Sequence, residues 1–296
     1  MDVDEDGAGA RRMWVRYETF HDVTYFTPES RAVTDALGCK GGWMGYFGMR
    51  AAPLGAASPE RVVSAFYNFH RSLVGRALPD AWRIATPEQF LSARLLGADR
   101  ALRRMLGDDA VTGDAMAEAA ALTVRAAGFA QTEGRPLAVA NAAIAAPEQP
   151  HLALWQAATV LRESRGDGHV AALVAADLDP VETLVTFGAE RGLDPAYLRA
   201  ARGWPEPEWA AAVVRLRERG LLTDDETLTD AGVELRRSVE ERTDQAAIRP
   251  WRELGAASTA RLAELLTPFA LLLAERNEAM KANPMALDAR SVLNQP

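Results

Sequence analysis

Histidine, aspartate and arginine set among aromatic residues are the groups in this chain best able to do chemistry. Only four histidines occur, His21, His70, His151 and His169. His21 and Tyr25 stand four residues apart, as do Phe66 and His70, so each pair shares a face if the segment is helical. On one reading His21, His70 and His169 converge with Tyr25, Trp43, Tyr46, Arg50 and Tyr67 on one aromatic-lined pocket. A neutral imidazole there is a natural general base, or a ligand for iron or zinc. On the other reading each histidine satisfies a buried polar contact. Asp167, between Gly166 and Gly168, completes the set: the glycines let backbone amides approach an anion, or let Asp167 face His169. A plain helix-turn-helix corner with Asp167 as N-cap fits the same residues. His21, His70, Asp167 and His169 are therefore the candidate acid–base groups, and Tyr25, Trp43, Tyr46, Arg50 and Tyr67 the candidate ligand contacts.

Several chemistries find no motif. There is no Walker A loop, Rossmann glycine fingerprint, H-E-x-x-H, G-x-S-x-G or EF-hand loop. The lone Cys39 excludes a disulfide framework and any cysteine-based zinc module. No nucleophile stands beside a base, and these residues name neither a metal nor a cofactor. With 33 Lys+Arg against 41 Asp+Glu the net charge is −8, an unpromising balance for a protein that holds polyanions. No unbroken apolar run approaches the roughly 18 residues of a membrane span, and the acidic N-terminus lacks the apolar stretch of a secretory signal. The expectation is a cytoplasmic protein with a small aromatic or apolar partner molecule and no membrane.

The elements that must position these groups are mostly α-helical. Residues 1–12 read as a disordered leader, 13–146 as an aromatic-rich helical domain and 147–296 as a second domain. More than half of the chain's aromatic residues lie between Trp14 and Trp82. Helix starts are written at Thr27-Pro28, Ser58-Pro59, Thr86-Pro87, Asp179-Pro180 and Asp194-Pro195. The first reads as a break between two helices, and the second opens a helix with Val62, Phe66, Phe69 and Leu73 on one stripe. Residues 42–55, GWMGYFGMRAAPLG, are too aromatic for a flexible linker and must pack against their own core or a ligand. Asp108–Gly113 reads as a turn, and 151–178 as two helices joined at Arg165-Gly166-Asp167-Gly168. Thr259–Glu275 carries Leu262, Leu265, Leu266, Phe269, Leu272 and Leu273 at helical spacing; core and homodimer seam both fit so wide a stripe.

Residues 205–245 hold the strongest pattern. A helix with Trp209, Val213 and Leu216 inward runs into Arg219-Gly220-Leu221-Leu222; Asp224-Asp225 turns, Thr227–Thr229 returns as a short strand, and Asp230 opens a long helix. This order resembles the MarR-type winged helix, whose reading helix, two-stranded wing and L-T-x-x-G helix start follow in that sequence. With FHDVTYF (20–26), 42–55, 66–82, RESRGDGHVAAL (162–173) and ARGW (201–204), nearly the whole chain is similar to an actinobacterial helix-turn-helix family. The resemblance implies a multi-helical N-terminal region followed by a winged helix, and carries over no catalytic residue. DNA is a disfavoured partner even so. The first half of the reading helix offers Glu206, Glu208 and two alanines, and the wing tip is Asp224-Asp225-Glu226, where phosphates need cations. Two functions remain: a small-molecule-binding protein or His/Asp enzyme of specialised metabolism, and a ligand-responsive transcription regulator.

Overall fold

Each of the five Ser/Thr/Asp-Pro pairs starts a helix by the same local chemistry. Thr27, Ser58, Thr86, Asp179 and Asp194 adopt extended or near-extended backbone, and each side-chain oxygen accepts a backbone N–H from the first turn that proline opens. Thr86 and Asp179 form full capping boxes with Gln89 and Glu182. Thr229 caps the helix at Asp230 in the same way.

The computed structural model describes residues 7–278, 283 and 285–293. The described helices run α1 (Gly7–Phe26), α2 (Pro28–Ala36), α3 (Gly41–Ala51), α4 (Pro59–Phe66), α5 (Arg71–Ala77), α6 (Asp80–Ile84), α7 (Pro87–Leu106), α8 (Asp108–Thr112) and α9 (Asp114–Gly128). They continue with α10 (Pro136–Ala142), α11 (Pro150–Ala175), α12 (Pro180–Arg191), α13 (Pro195–Arg202), α14 (Glu206–Glu218), α15 (Asp230–Ala246), α16 (Arg249–Leu254), α17 (Ala256–Arg276) and α18 (Ala289–Leu293). The leader reading fails from Gly7 onward, where α1 has begun; residues 1–6 lie outside the described residues.

The expected two-stranded wing is absent, and with it the winged helix. No strand occurs among the described residues; Leu222 and Leu228 form one isolated antiparallel bridge. The reason is length. Gly220 ends one helix, Thr229 caps the next, and a turn through Asp224–Glu226 consumes the middle, so each arm has too few residues for a ladder. The mostly-α expectation holds.

Four hydrophobic clusters lie among the described residues, three of them large and one small, around Val15 and Leu287. The largest joins α1, α7, α9, α11, α16 and α17 around Phe20, Trp155 and Leu262. A second gathers Phe47, Phe66, Phe69 and Phe90 from α3 to α7. The third packs Leu184, Leu198, Trp209, Val213 and Leu216 of α12–α14. The leucine stripe of α17 is core in this structure. That helix is also long and apolar enough, by length and composition, to cross a membrane; counting unbroken apolar runs overlooked it because Thr259, Glu264 and Thr267 interrupt the run.

Other expectations shift. The segment 42–55 is helix α3, and its glycines serve close packing: a Cβ at Gly45 would lie 2.6 Å from Thr34 Oγ1, and one at Gly48 2.4 Å from Phe90 Cε1. The stripe Val62, Phe66, Phe69, Leu73 shares one core but not one helix. Tyr67, at φ 60°, ends α4, and the His70 side chain caps α5. Asp108–Thr112 is a short helix rather than a turn. Finally, α11 is one helix of 26 residues straight through Gly166 and Gly168. Gly168 faces Ala246 of α15, whose Cβ would stand 3.0 Å from a Cβ at Gly168, so the glycine serves helix packing and not a corner.

Candidate functional site

Helices α1 and α11 pack side by side, and the spacing of their polar residues puts Glu18, His21, Asp22 and Tyr25 opposite Arg162, Glu163, Arg165 and His169. With α3, α12, α13 and α15 they enclose a cavity of about 470 Å³ at the junction of the three large hydrophobic clusters. His21, Tyr25, Trp43, Tyr46, Arg50, Asp167 and His169 all line it.

His70 and Tyr67 do not. Their expected place in the pocket is corrected by the break between α4 and α5, which turns both outward from it. His70 Nδ1 accepts from the backbone N–H of Ser72 at 3.3 Å, so its proton sits on Nε2, which faces Glu208 Oε1 at 3.2 Å; the ring meets Trp204 edge-on at 4.9 Å. Tyr67 donates its hydroxyl to the Leu178 carbonyl. Both tie the α12–α14 region to the N-terminal region. The same seam holds the α13–α14 corner through His70 N–H to Arg202 O and Trp204 Nε1 to Asn68 O, each 2.9 Å. Gly203, at φ +77°, lets the backbone pass where a Cβ would lie 2.7 Å from Leu73 Cβ.

One wall of the cavity is aromatic. Tyr25 meets His21 at 5.3 Å and Tyr46 at 5.0 Å, and Trp43 meets Tyr46 at 5.5 Å, all edge-on. Arg50 lies over the Phe66 ring at 4.1 Å and donates to Tyr46 Oη at 2.9 Å.

The polar wall is an ion network. Glu163 binds Arg162 at 2.8 Å and Arg50 at 3.5 Å; Glu18 takes Arg162 at 3.4 Å and the Trp14 indole N–H at 2.6 Å. Burial opposes ionisation of Glu163, yet the guanidinium groups of Arg162 and Arg50 outweigh it and hold the carboxyl at about 2. Asp22 goes the other way. Burial, reinforced by the Glu18 charge, raises it well above the usual carboxylate range, and its Oδ2 has no hydrogen-bond partner among the described residues.

The two cavity histidines are held alike. His21 Nδ1 lies 3.1 Å from Thr159 Oγ1, whose one hydroxyl hydrogen goes to the Trp155 carbonyl at 3.0 Å. His169 Nδ1 lies 2.9 Å from Thr243 Oγ1, whose hydrogen goes to the Val239 carbonyl at 2.7 Å. Each threonine can therefore only accept, so each ring carries its proton on Nδ1 and keeps the Nε2 lone pair. Burial pushes His169 down to about 4, and burial followed by the Arg162 charge pushes His21 well below the ordinary imidazole value. Both are neutral at pH 7.

Asp167 has a partner that no local pattern shows. Its Oδ2 accepts the backbone N–H groups of Leu137 and Ala138, each at 2.9 Å, and so caps α10 from another helix. Burial raises its carboxyl to about 6 in spite of those bonds.

Sequence reasoning missed Asp22, Thr183 and Arg202, and gave Glu163, beside Asp167 and His169 in the same segment, no role. The i, i+4 acid pair Glu18/Asp22 in an otherwise aromatic helix was a usable signal, as was Arg202 within ARGW. Thr183 Oγ1 and Arg202 Nε are buried without a hydrogen-bond partner among the described residues, and both residues line the cavity. Among the described residues no group of three His, Cys, Asp or Glu side chains could hold a metal ion.

The profile of a helix-turn-helix family matches residues 10–280. No curated protein and no solved structure matches the chain.

Proposed function

The chain belongs to this helix-turn-helix family, and from that premise we propose that it is a small-molecule-binding protein whose helix-turn-helix segment walls the binding cavity and does not read DNA. The observation that carries the reading is the cavity itself. It draws seven of the nine residues nominated by their chemistry into one space, within the roughly 300–1,000 Å³ typical of sites for small organic ligands. Its aromatic wall suits a flat or apolar body and its polar wall orients it. Neutral His21 and His169 serve such a site as hydrogen-bond acceptors. Asp167 is occupied by the α10 amides, which favours binding over His/Asp acid–base turnover.

The reading against DNA rests on α14. Arg215 is held by Asp179 at 2.6 Å and Glu182 at 2.9 Å, Arg219 by Glu182 at 3.0 Å, and Arg217 by the Asp224 carbonyl at 2.6 Å. The cations that would meet phosphate are committed within the chain.

Titration with the neutral fluorophore N-phenyl-1-naphthylamine tests the site. Saturable binding that weakens on Trp43→Ala supports it; no saturable binding, or binding indifferent to Trp43→Ala, sinks it. The second reading, a ligand-responsive regulator, is favoured by Thr183, Phe187, Tyr197 and Arg202 of α12 and α13, which line the same cavity. It requires that ligand change the affinity for a duplex at about 150 mM salt.

A further inference from the structure

Arg202 stands apart from the other cations around the cavity. At the far end, Arg11 and Arg165 are paired with Asp244, and Arg236 with Glu190 and Glu240. Near the aromatic wall, Arg50 and Arg162 share Glu163, and Arg162 also takes Glu18. Arg202 makes no ion pair among the described residues. Its Nη1 reaches only the neighbouring Ala201 carbonyl at 3.3 Å, its Nε is buried with no hydrogen-bond partner there, and its guanidinium lies 4.7 Å from the centre of the Phe69 ring. The strongest charges acting on it include two further cations, Arg50 and Arg162.

Burying an unpaired guanidinium is costly, and its planar fork of N–H donors matches a planar carboxylate bidentately. Phe69 and Tyr46 lie in ring contact at 5.7 Å on the same side of the cavity, so an anionic group at Arg202 would carry an aromatic or apolar body against that wall. We propose that the cavity selects an amphipathic organic anion, its acidic group paired with Arg202 and its apolar body lying against Tyr46 and Trp43. This rests on the cavity being a binding site, and it adds the chemical class of the occupant. The choice of α13 as donor has a structural cause: the bonds from His70 N–H to the Arg202 carbonyl and from Trp204 to Asn68 anchor the backbone on either side of the guanidinium stem.

The test compares two probes of nearly equal shape, anionic 8-anilinonaphthalene-1-sulfonate and neutral N-phenyl-1-naphthylamine, on the full chain at neutral pH. The anion is expected to bind at least about tenfold more tightly than the neutral probe, a difference that Arg202→Gln removes and Arg202→Lys, which keeps the charge without the fork, retains only in part. Arg202→Gln should weaken the anion far more than the neutral probe and raise the melting temperature of the free protein, because it removes a largely desolvated, unpaired charge; that rise also shows that the variant is folded. Equal affinity for the two probes, or a preference for the anion that survives Arg202→Gln, overturns the inference and leaves the binding site standing. Failure of both probes to bind overturns the site and the inference together.

Discussion

Glu163 Oε2 lies 2.8 Å from Arg162 Nη1, and the two are consecutive residues of one helix. Consecutive helical residues normally point about 100° apart, yet this pair closes, and Glu163 also reaches Arg50, across the cavity on α3. Its side chain is 1% exposed. Glu163→Gln should therefore leave the buried Arg50 without an anion and Arg162 with Glu18 alone, and destabilise the fold by about 3–5 kcal/mol. Urea denaturation measures it. A loss under about 1 kcal/mol would mean that the network is solvated.

Acid should unfold the protein partly through its histidines. An imidazole whose folded pKa lies below its unfolded value of 6.5 favours the native state while neutral. That stability is complete above pH 6.5 and is lost as the pH falls toward 4, where His169 protonates in the native state. Each such group contributes a slope of up to about 1.4 kcal/mol per pH unit in that window. His169→Asn keeps a donor for Thr243 and removes the titration, so its stability between pH 6.5 and 4 should fall less steeply than that of the parent.

Asp167 acts with the opposite sign. Its folded pKa of about 6 is above the unfolded 3.8, so its contribution is present below pH 3.8 and is lost as the pH rises through 6. Asp167→Asn retains an oxygen for the Leu137 and Ala138 amides. It should gain stability relative to the parent on going from pH 4 to pH 7, by on the order of 2 kcal/mol. Thermal melts at the two pH values decide it.

Gly48→Ala would place a Cβ 2.4 Å from Phe90 Cε1, in a ring that is 0% exposed and cannot swing aside. A cost of about 1–3 kcal/mol is expected. Because α3 also carries Trp43, Tyr46 and Arg50, the same variant should weaken binding of an aromatic probe. Probe affinity unchanged beside a lowered melting temperature would show that α3 does not shape the cavity.

Arg215→Ala separates the two readings of α14. If the helix does not read DNA, the variant loses about 1 kcal/mol through its broken contacts to Asp179 and Glu182, and duplex affinity, negligible at about 150 mM salt, stays negligible. Saturable duplex binding by the parent that falls in Arg215→Ala would favour the regulator.

The helix starts were legible because they are local. A Thr, Ser or Asp before proline needs only its own first turn to satisfy it, and Thr27, Ser58, Thr86, Asp179, Asp194 and Thr229 all cap as their neighbours dictate. The inward positions of Trp209, Val213 and Leu216 follow likewise from periodicity. Tertiary structure decided what each face meets. Glycines at 166 and 168 read as a corner, yet α15 needs that space and the helix runs on. Asp167 read as a cap for its own helix, yet the amides it takes belong to α10, about thirty residues away in the chain. His21 and His70 were alike as residues among aromatics; only Thr159 with its committed hydrogen, and Ser72 with an N–H to donate, gave them opposite tautomers and different places. Spacing along a chain states which side chains leave the water together, and the partner they find there depends on segments whose distance in sequence carries no periodic signal.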